Sequence, residues 1–222
     1  MKNGKKIVAF LPIKLNSQRL PHKNILPIAG HPLCWHLTNT LINVEAIDEV
    51  YTFCSDKAVM DYVAEGTKFL LRDKYFDGDS VKSFELIGKF IESVDSDIYV
   101  FANTTSPFLK VSTVENALDN MLLRDFDSAL TVQEFRTFAR FKGDPINYDI
   151  NDIPKTQDIE PVYIETSGFY IFNKEIFTEH HRRVGFKPYL QIVDGLESVD
   201  IDTKEDYDFA EKLYKAYMED IK

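Results

Sequence analysis

Asp200 and Asp202 stand two residues apart in Val199-Asp200-Ile201-Asp202-Thr203, and an extended chain presents side chains at that spacing on one face. Two carboxylates so placed can reach a single hard cation. Magnesium suits them, because it keeps several waters and takes one or two carboxylates together with substrate phosphates. A helix start, with Asp202 as N-cap and Glu205 or Asp206 in the first turn, explains Asp202 alone and leaves Asp200 as an acid within an apolar run. A second group lies far away in sequence, in Lys14-Leu15-Asn16-Ser17-Gln18-Arg19-Leu20-Pro21-His22-Lys23-Asn24. Lys14, Arg19 and Lys23 are its fixed cations, set among amides and hydroxyls. Lysines act as point charges on phosphate oxygens, and Asn16 and Ser17 can satisfy the remaining lone pairs, so the loop is suited to a triphosphate. It lacks the glycines of a P-loop or a dinucleotide fingerprint. On charge alone it reads equally as a solvated basic loop.

Two shorter segments could complete a site. Asn103-Thr104-Thr105-Ser106-Pro107-Phe108 ends an apolar run in consecutive hydroxyls and a proline, which is also how a helix-capping turn looks. Asp77-Gly78-Asp79-Ser80 reads as a turn and N-cap.

These segments need a scaffold that gathers loops at one edge. Short apolar runs alternate with helical patterns, the mark of a layered α/β domain. Strands are expected at Ile7–Leu11, Glu49–Cys54, Phe69–Leu71, Asp97–Ala102, Ser128–Val132, Gly168–Asn173 and Val199–Ile201. Helices are expected at Pro32–Asn43, Lys57–Glu65, Ser80–Ser93, Ser112–Arg124, Lys174–Thr178 and Lys204–Tyr217. The interval Gln133–Pro161 is weakly patterned and reads as an excursion from the sheet, a small arm. The alternation predicts a mostly parallel sheet in a Rossmann-like three-layer sandwich, one domain over residues 1–222. Ligands of such sheets sit at the carboxyl ends of the strands, where every candidate above falls.

Composition sets the outer limits. The 222 residues carry a formal net charge of -10, which argues against general affinity for nucleic acid or acidic membranes. A few local cations can still make a positive pocket. Cys34 and Cys54 have neither metal-knuckle nor redox-pair spacing and read as buried thiols of a reducing cytoplasm. The apolar stretch Ile7–Ile13 is too short for a membrane span.

Taken together, the segments resemble the cytidylyltransferases that activate sialic acids and 3-deoxy-octulosonate, whose fold is the nucleotide-diphospho-sugar transferase type. The first loop is similar to that family's Pro-Ala-Arg-x-x-Ser-Lys-x-x-x-x-Lys-Asn motif, with Pro12, Ser17, Pro21, Lys23 and Asn24 matching. Lys14 stands in place of an arginine and Gln18 in place of a lysine that Arg19 can replace. Asn103, Thr105, Ser106 and Pro107 resemble Gln-Pro-Thr-Ser-Pro, with asparagine for glutamine at the position that contacts the acceptor sugar. Asp79 falls where the family has a segment of the CTP site. Asp200 and Asp202 resemble its Ile-Asp-Ile-Asp-Thr metal motif. Thr166-Ser167-Gly168-Phe169-Tyr170 resembles a strand that opens beside the sugar, where Gly168 would admit substrate close to the backbone. Glu165 stands where sialate-activating members can carry a basic residue.

The resemblance implies a reaction. CTP lies on Pro12, Lys14, Asn16, Ser17, Lys23, Asn24 and Asp79, with Lys14, Arg19, Lys23 and Asp202 in catalytic roles. Magnesium is held by Asp200 and Asp202, and an acidic sugar lies on Asn103, Thr105, Ser106, Ser167 and Gly168. The sugar's anomeric hydroxyl attacks the α-phosphorus and pyrophosphate leaves. It also implies a homodimer in which residues 133–161, with Phe135, Phe138 and Phe141, form the arm. Two other readings remain open. A glycosyltransferase using a nucleotide sugar also holds magnesium on Asp-x-Asp, though normally mid-chain. A non-catalytic nucleotide- or sugar-binding relative would fit the departures at Lys14, Gln18 and Asn103.

Overall fold

The computed structural model describes residue 2 and residues 4–220, with the backbone alone for 218–220. Its centre is a seven-stranded sheet. In chain order the strands are β1 (Ile7–Pro12), β2 (Glu49–Cys54), β3 (Lys68–Leu71), β4 (Ile98–Ala102), β5 (Ser128–Phe135), β6 (Val162–Asn173) and β7 (Pro188–Ile192). Across the sheet they lie in the order β7-β5-β6-β4-β1-β2-β3. All run the same way except β6, which is antiparallel to both neighbours.

The strands at the centre are apolar throughout because both faces are covered. Ile7, Ala9 and Leu11 of β1 face one layer, made by α1 (Leu33–Ile42) and α3 (Val111–Leu123) through Cys34, Leu37, Leu41, Val114, Ala117 and Leu118. Val8 and Phe10 face the other, made by α2 (Ser83–Ser93) and α4 (Lys174–Thr178) through Ile87, Phe90, Ile176 and Phe177. Phe10 stacks on Phe90 with ring centroids 4.0 Å apart. This is the expected three-layer α/β sandwich. Both cysteines are buried and free; burial pushes the Cys34 thiol up to about 12 and also raises Cys54, so neither is a ready nucleophile.

A third apolar cluster does the positioning. Leu20 of the first loop, Ile28 between that loop and α1, and Leu33 of α1 pack with Phe108, Ile201 and Ala210, the last on helix α5 (Lys204–Asp220). Tyr214 of α5 stacks on Phe108 at 5.6 Å. The C-terminal segment is thereby glued to the N-terminal loop and to the turn after β4. Ile201 is fully buried there, so Ile201→Ala is expected to lower unfolding free energy by about 2–4 kcal/mol in urea denaturation.

The structure corrects four expected elements. Val199–Ile201 is not a strand: Ile201 N–H makes one ladder-like bond, to the Thr105 carbonyl at 2.9 Å, and the sheet edge is taken by β7, whose Pro188 start masked it. The helix expected from Ser80 begins at Ser83, with Glu85 accepting from the Lys82 N–H at 3.1 Å, because Asp79 pairs with Lys14 instead of capping. The helix expected over Lys57–Glu65 is a 3-10 turn, Lys57–Asp61; the Ala64 N–H donates to the Thr38 hydroxyl at 3.0 Å, which draws the chain out of helical register. The excursion starts later than Gln133, since β5 runs to Phe135 and pairs with Val162. Beyond it, Asn147 binds the arm together through Ala139, Thr137 and Glu160. Among the described residues, no helix is long and apolar enough to cross a membrane.

Candidate active site

A cleft of about 690 Å³ crosses the carboxyl ends of the strands. It extends from Arg72, just past β3, over the first loop, to Asn103 after β4 and Ser167 on β6. The first loop is held by one buried side chain. Asn24 donates from Nδ2 to the Lys14 carbonyl at 2.8 Å and accepts from the Thr104 hydroxyl at 2.6 Å. That closes the loop on itself and fastens it to the next one. Asn24 lines the cleft, but its amide is largely engaged in shaping it.

The two distant charged groups meet in this cleft. Lys23 Nζ and Arg19 Nη1 each lie 2.8 Å from a different oxygen of Asp202. Asp200 lines the same cleft. Their spacing does what a strand would have done: Ile201 points into the third cluster, leaving the flanking acids on the other side. Nor is Asp202 used as a cap. Asp206 accepts from the backbone N–H groups of Asp202 and Thr203, at 3.0 and 2.8 Å, and the Thr203 hydroxyl accepts from the Asp206 N–H. This reciprocal box starts α5 and leaves both carboxylates for the cleft.

Asp200 is open to the solvent of the cleft, yet the surrounding walls desolvate its carboxylate and raise its pKa above the ordinary carboxylate range. A hydrogen bond from Thr105 opposes the rise and the charge of Asp202 adds to it. Close like charges relieved by a bound cation are a sound basis for metal affinity. Among the described residues no group of three or more His, Cys, Asp or Glu could hold an ion, so the pair would need water and substrate oxygens to complete a shell. Magnesium accepts that arrangement, and the hard oxygen donors fit it. Arg19, whose side chain is two-thirds exposed, can leave Asp202 at little cost.

The turn segment Glu197 to Asp202 is aimed by one buried acid that sequence reasoning missed. Glu197 accepts from the Lys110 N–H at 2.9 Å and the Thr113 hydroxyl at 2.6 Å, tying it to the start of α3. No sequence pattern distinguished it from a surface glutamate.

Lys14 faces Asp79 at 2.8 Å, and Ser17 and Gln18 complete this side of the cleft. Asn16 instead lines an adjoining recess of about 380 Å³ with Ser55, Lys74 and Asp77. On the opposite wall, Ser167 adopts φ 59° at an irregularity in the β5–β6 pairing, a strained conformation for a residue with a side chain. Asn103 Nδ2 donates to the Ser167 carbonyl at 2.7 Å, so that nitrogen serves the wall. Thr105 lines the cleft. Ser106 and Gly168 stand behind it. Ser106 is buried with an unpartnered hydroxyl. A Cβ at Gly168 would lie 2.7 Å from Leu109 Cδ1 and 3.1 Å from Thr131 Oγ1. A side chain at this position would have to displace Leu109, so packing alone accounts for a glycine here.

Arg72 is the other residue missed. Its side chain is almost fully buried, with Nη2 on the Ile13 carbonyl at 3.0 Å and on Asp77 at 2.8 Å. Nε and Nη1 have no partner, and the residue lines the cleft. Buried donors left unbonded are costly, and an acceptor-bearing ligand would satisfy them. The available signal was a charged residue placed directly after a predicted strand of a parallel sheet.

Comparison with known proteins bears on the family and the fold. The family model described as Cytidylyltransferase matches residues 8–221. An N-acylneuraminate cytidylyltransferase of Streptococcus agalactiae is 24% identical over 91% of this chain, which spans 52% of that relative's length. A pseudaminic acid cytidylyltransferase of Campylobacter jejuni is 24% identical over 96% of this chain and 98% of its own. The solved CMP:2-keto-3-deoxy-manno-octonic acid synthetase complexed with CTP superimposes with a TM-score of 0.74 at 18% identity, covering 96% of this chain and 99% of that one; at that identity the likeness speaks for the fold.

Proposed function

This chain belongs to the cytidylyltransferase family, and from that premise we propose that it joins CMP from CTP to the anomeric hydroxyl of an acidic 2-keto-3-deoxy sugar, releasing pyrophosphate. One observation carries the reading: the cationic first loop and the C-terminal acid pair converge, with Lys23 and Arg19 both on Asp202. The chain spans about half the length of the Streptococcus relative it matches, while the Campylobacter relative of like length is named for an acidic sugar.

In this proposal the triphosphate lies on Lys14, Arg19 and Lys23, which exchange their carboxylate partners for phosphate oxygens and neutralise charge as it develops. Ser17 and the loop's N–H groups can add neutral donors. Arg72, at the far end of the cleft, can turn its buried Nε and Nη1 to acceptors of the nucleotide when a shift of the cleft wall exposes them. Asn103, Thr105 and Ser167 border the sugar. Magnesium bound by Asp200 and Asp202 would supply Lewis acidity at the α-phosphate and acidify the attacking hydroxyl. The hydroxyl oxygen forms the new bond to the α-phosphorus, the bond to pyrophosphate breaks, and the hydroxyl proton passes to solvent or to a carboxylate. Holding the two substrates in line is most of what the residues contribute.

The test is pyrophosphate release from CTP, UTP, ATP and GTP, each with magnesium, against N-acetylneuraminic, legionaminic, pseudaminic and 3-deoxy-manno-octulosonic acids. Release with CTP and at least one acid is expected. No release from any pair would overturn the reading.

The same proposal makes the excursion expected over residues 133–161, which leaves the sheet after Phe135, the arm of a homodimer. Phe138, Phe141, Ile146, Ile150 and Ile153 of this segment are exposed, more apolar surface than a solvated loop needs. Sedimentation velocity is expected to give a dimer, which Phe141→Asp with Ile153→Asp converts to monomer. A wild-type chain that sediments as a monomer at micromolar concentration would refute it.

A further inference from the structure

Arg183 lies in the loop after α4, and its guanidinium carbon sits 3.8 Å from the centroid of the Tyr170 ring. Nη1 donates to the Ser83 hydroxyl at 3.2 Å. Both contacts adjoin the cleft. Ser83 lines it, and so does Phe101, whose ring neighbours that of Tyr170 at 6.2 Å. The half-buried side chain is therefore held directly behind Ser83 and Phe101, at the end of the cleft that Asn103 and Ser167 also line.

Its charge balance differs from that of the cations that line the cleft. Lys14 faces Asp79, Arg19 and Lys23 face Asp202, and Arg72 faces Asp77. Among the described residues Arg183 has no carboxylate within ion-pair distance. The acid on the same tyrosine, Glu165, takes the Tyr170 hydroxyl at 2.8 Å. A guanidinium lying on an aromatic face keeps its N–H groups pointing outward at its edge, and among the described residues Ser83 takes one of them. That edge has the geometry for a planar carboxylate. In a chain of net charge -10, a half-buried arginine next to the cleft, with no carboxylate within ion-pair distance among the described residues, is a place for an anion.

We propose that Arg183 binds the carboxylate of the acidic sugar. This rests on the reading of the cleft as a sugar cytidylyltransferase site, and deepens it by naming the group that recognises the substrate's charge. It also answers Glu165, which occupies the strand position from which a basic residue could otherwise have reached the sugar: the cation lies instead over the face of the Tyr170 ring, whose hydroxyl Glu165 takes.

The experiment measures binding, so that it does not depend on turnover. N-acetylneuraminic, pseudaminic and 3-deoxy-manno-octulosonic acids are titrated calorimetrically into the full chain in the presence of CTP, followed by the carboxamide of whichever acid binds best. Wild type is expected to prefer acid to amide by about 10–100-fold, the worth of one charge-assisted bidentate contact. Arg183→Gln is expected to reduce that preference to about threefold or less, with amide and CTP affinities unchanged. Arg183→Lys, which keeps the charge without the planar fork, should restore part of it. The proposal fails if wild type binds none of the three acids, if Arg183→Gln keeps the full preference, or if it weakens acid and amide equally, as lost packing on Tyr170 would. Acid binding that depends on Arg183 without any pyrophosphate release would leave this assignment standing and overturn the catalytic one.

Discussion

Asp202→Asn is expected to cut pyrophosphate release from CTP by at least about a hundredfold at millimolar magnesium, the scale on which preorganised charge stabilisation acts. The substitution keeps the shape of the side chain and removes its charge. It should not unfold the protein, because the cap of α5 is formed by Thr203 and Asp206 and not by Asp202. Its effect on nucleotide binding has the opposite sign from its effect on turnover. Lys23 and Arg19 now neutralise Asp202, and a triphosphate must compete with that carboxylate for them. With asparagine in its place, CTP measured by calorimetry without a divalent ion should bind as tightly as to wild type or more so. Loss of turnover with retained or improved metal-free binding is therefore the signature of a metal-holding acid. Near-wild-type turnover at ordinary magnesium would remove the proposed cation site.

Arg72→Lys is expected to weaken CTP binding by about 10–100-fold, since a charged hydrogen bond contributes about 1.5–3 kcal/mol. Lysine retains the positive charge beside Asp77, whose other oxygen accepts from the Ser55 hydroxyl, so the buried pair is not simply broken. What lysine lacks is the fork that presents Nε and Nη1 while Nη2 is engaged with Ile13 and Asp77. The check is the rise in thermal midpoint on adding CTP, which grows with the logarithm of ligand concentration over Kd. Wild type should show a clear rise, and Arg72→Lys a much smaller one at the same concentration. An equal rise in both would mean that the unbonded nitrogens of Arg72 are satisfied by water and take no part in the site.

The arginines also show where sequence reasoning reached its limit. The first loop and the Asp pair were readable because their chemistry is concentrated in short segments. Arg72, in Leu71-Arg72-Asp73-Lys74, and Arg183, in His180-His181-Arg182-Arg183, carry no motif that sets them apart from neighbouring cations, and each acquires its meaning from partners away from it in sequence: Ile13 for the first, Ser83 and Tyr170 for the second. Asn24 makes the same point from the other side. Its type and place marked it for the nucleotide, while its position in space has it linking two loops. Gly168 reads from sequence as an opening toward a ligand, while in space its missing side chain leaves room for Leu109 and Thr131.

Apolar patterning by itself determined the layered α/β class, most of the strands and helices, and the edge of the sheet at which chemistry would gather, because buried parallel strands must be apolar on both faces and their loops must carry the polar groups. Tertiary structure decided which polar groups meet. Val199–Ile201 reads as a strand from its alternation, yet the third apolar cluster, not a sheet, holds it, and that cluster brings Asp202 within 2.8 Å of Lys23, 179 residues away. Such contacts are fixed by the packing of Ile201, Phe108, Leu20 and α5, a property of three-dimensional fit that no local period encodes.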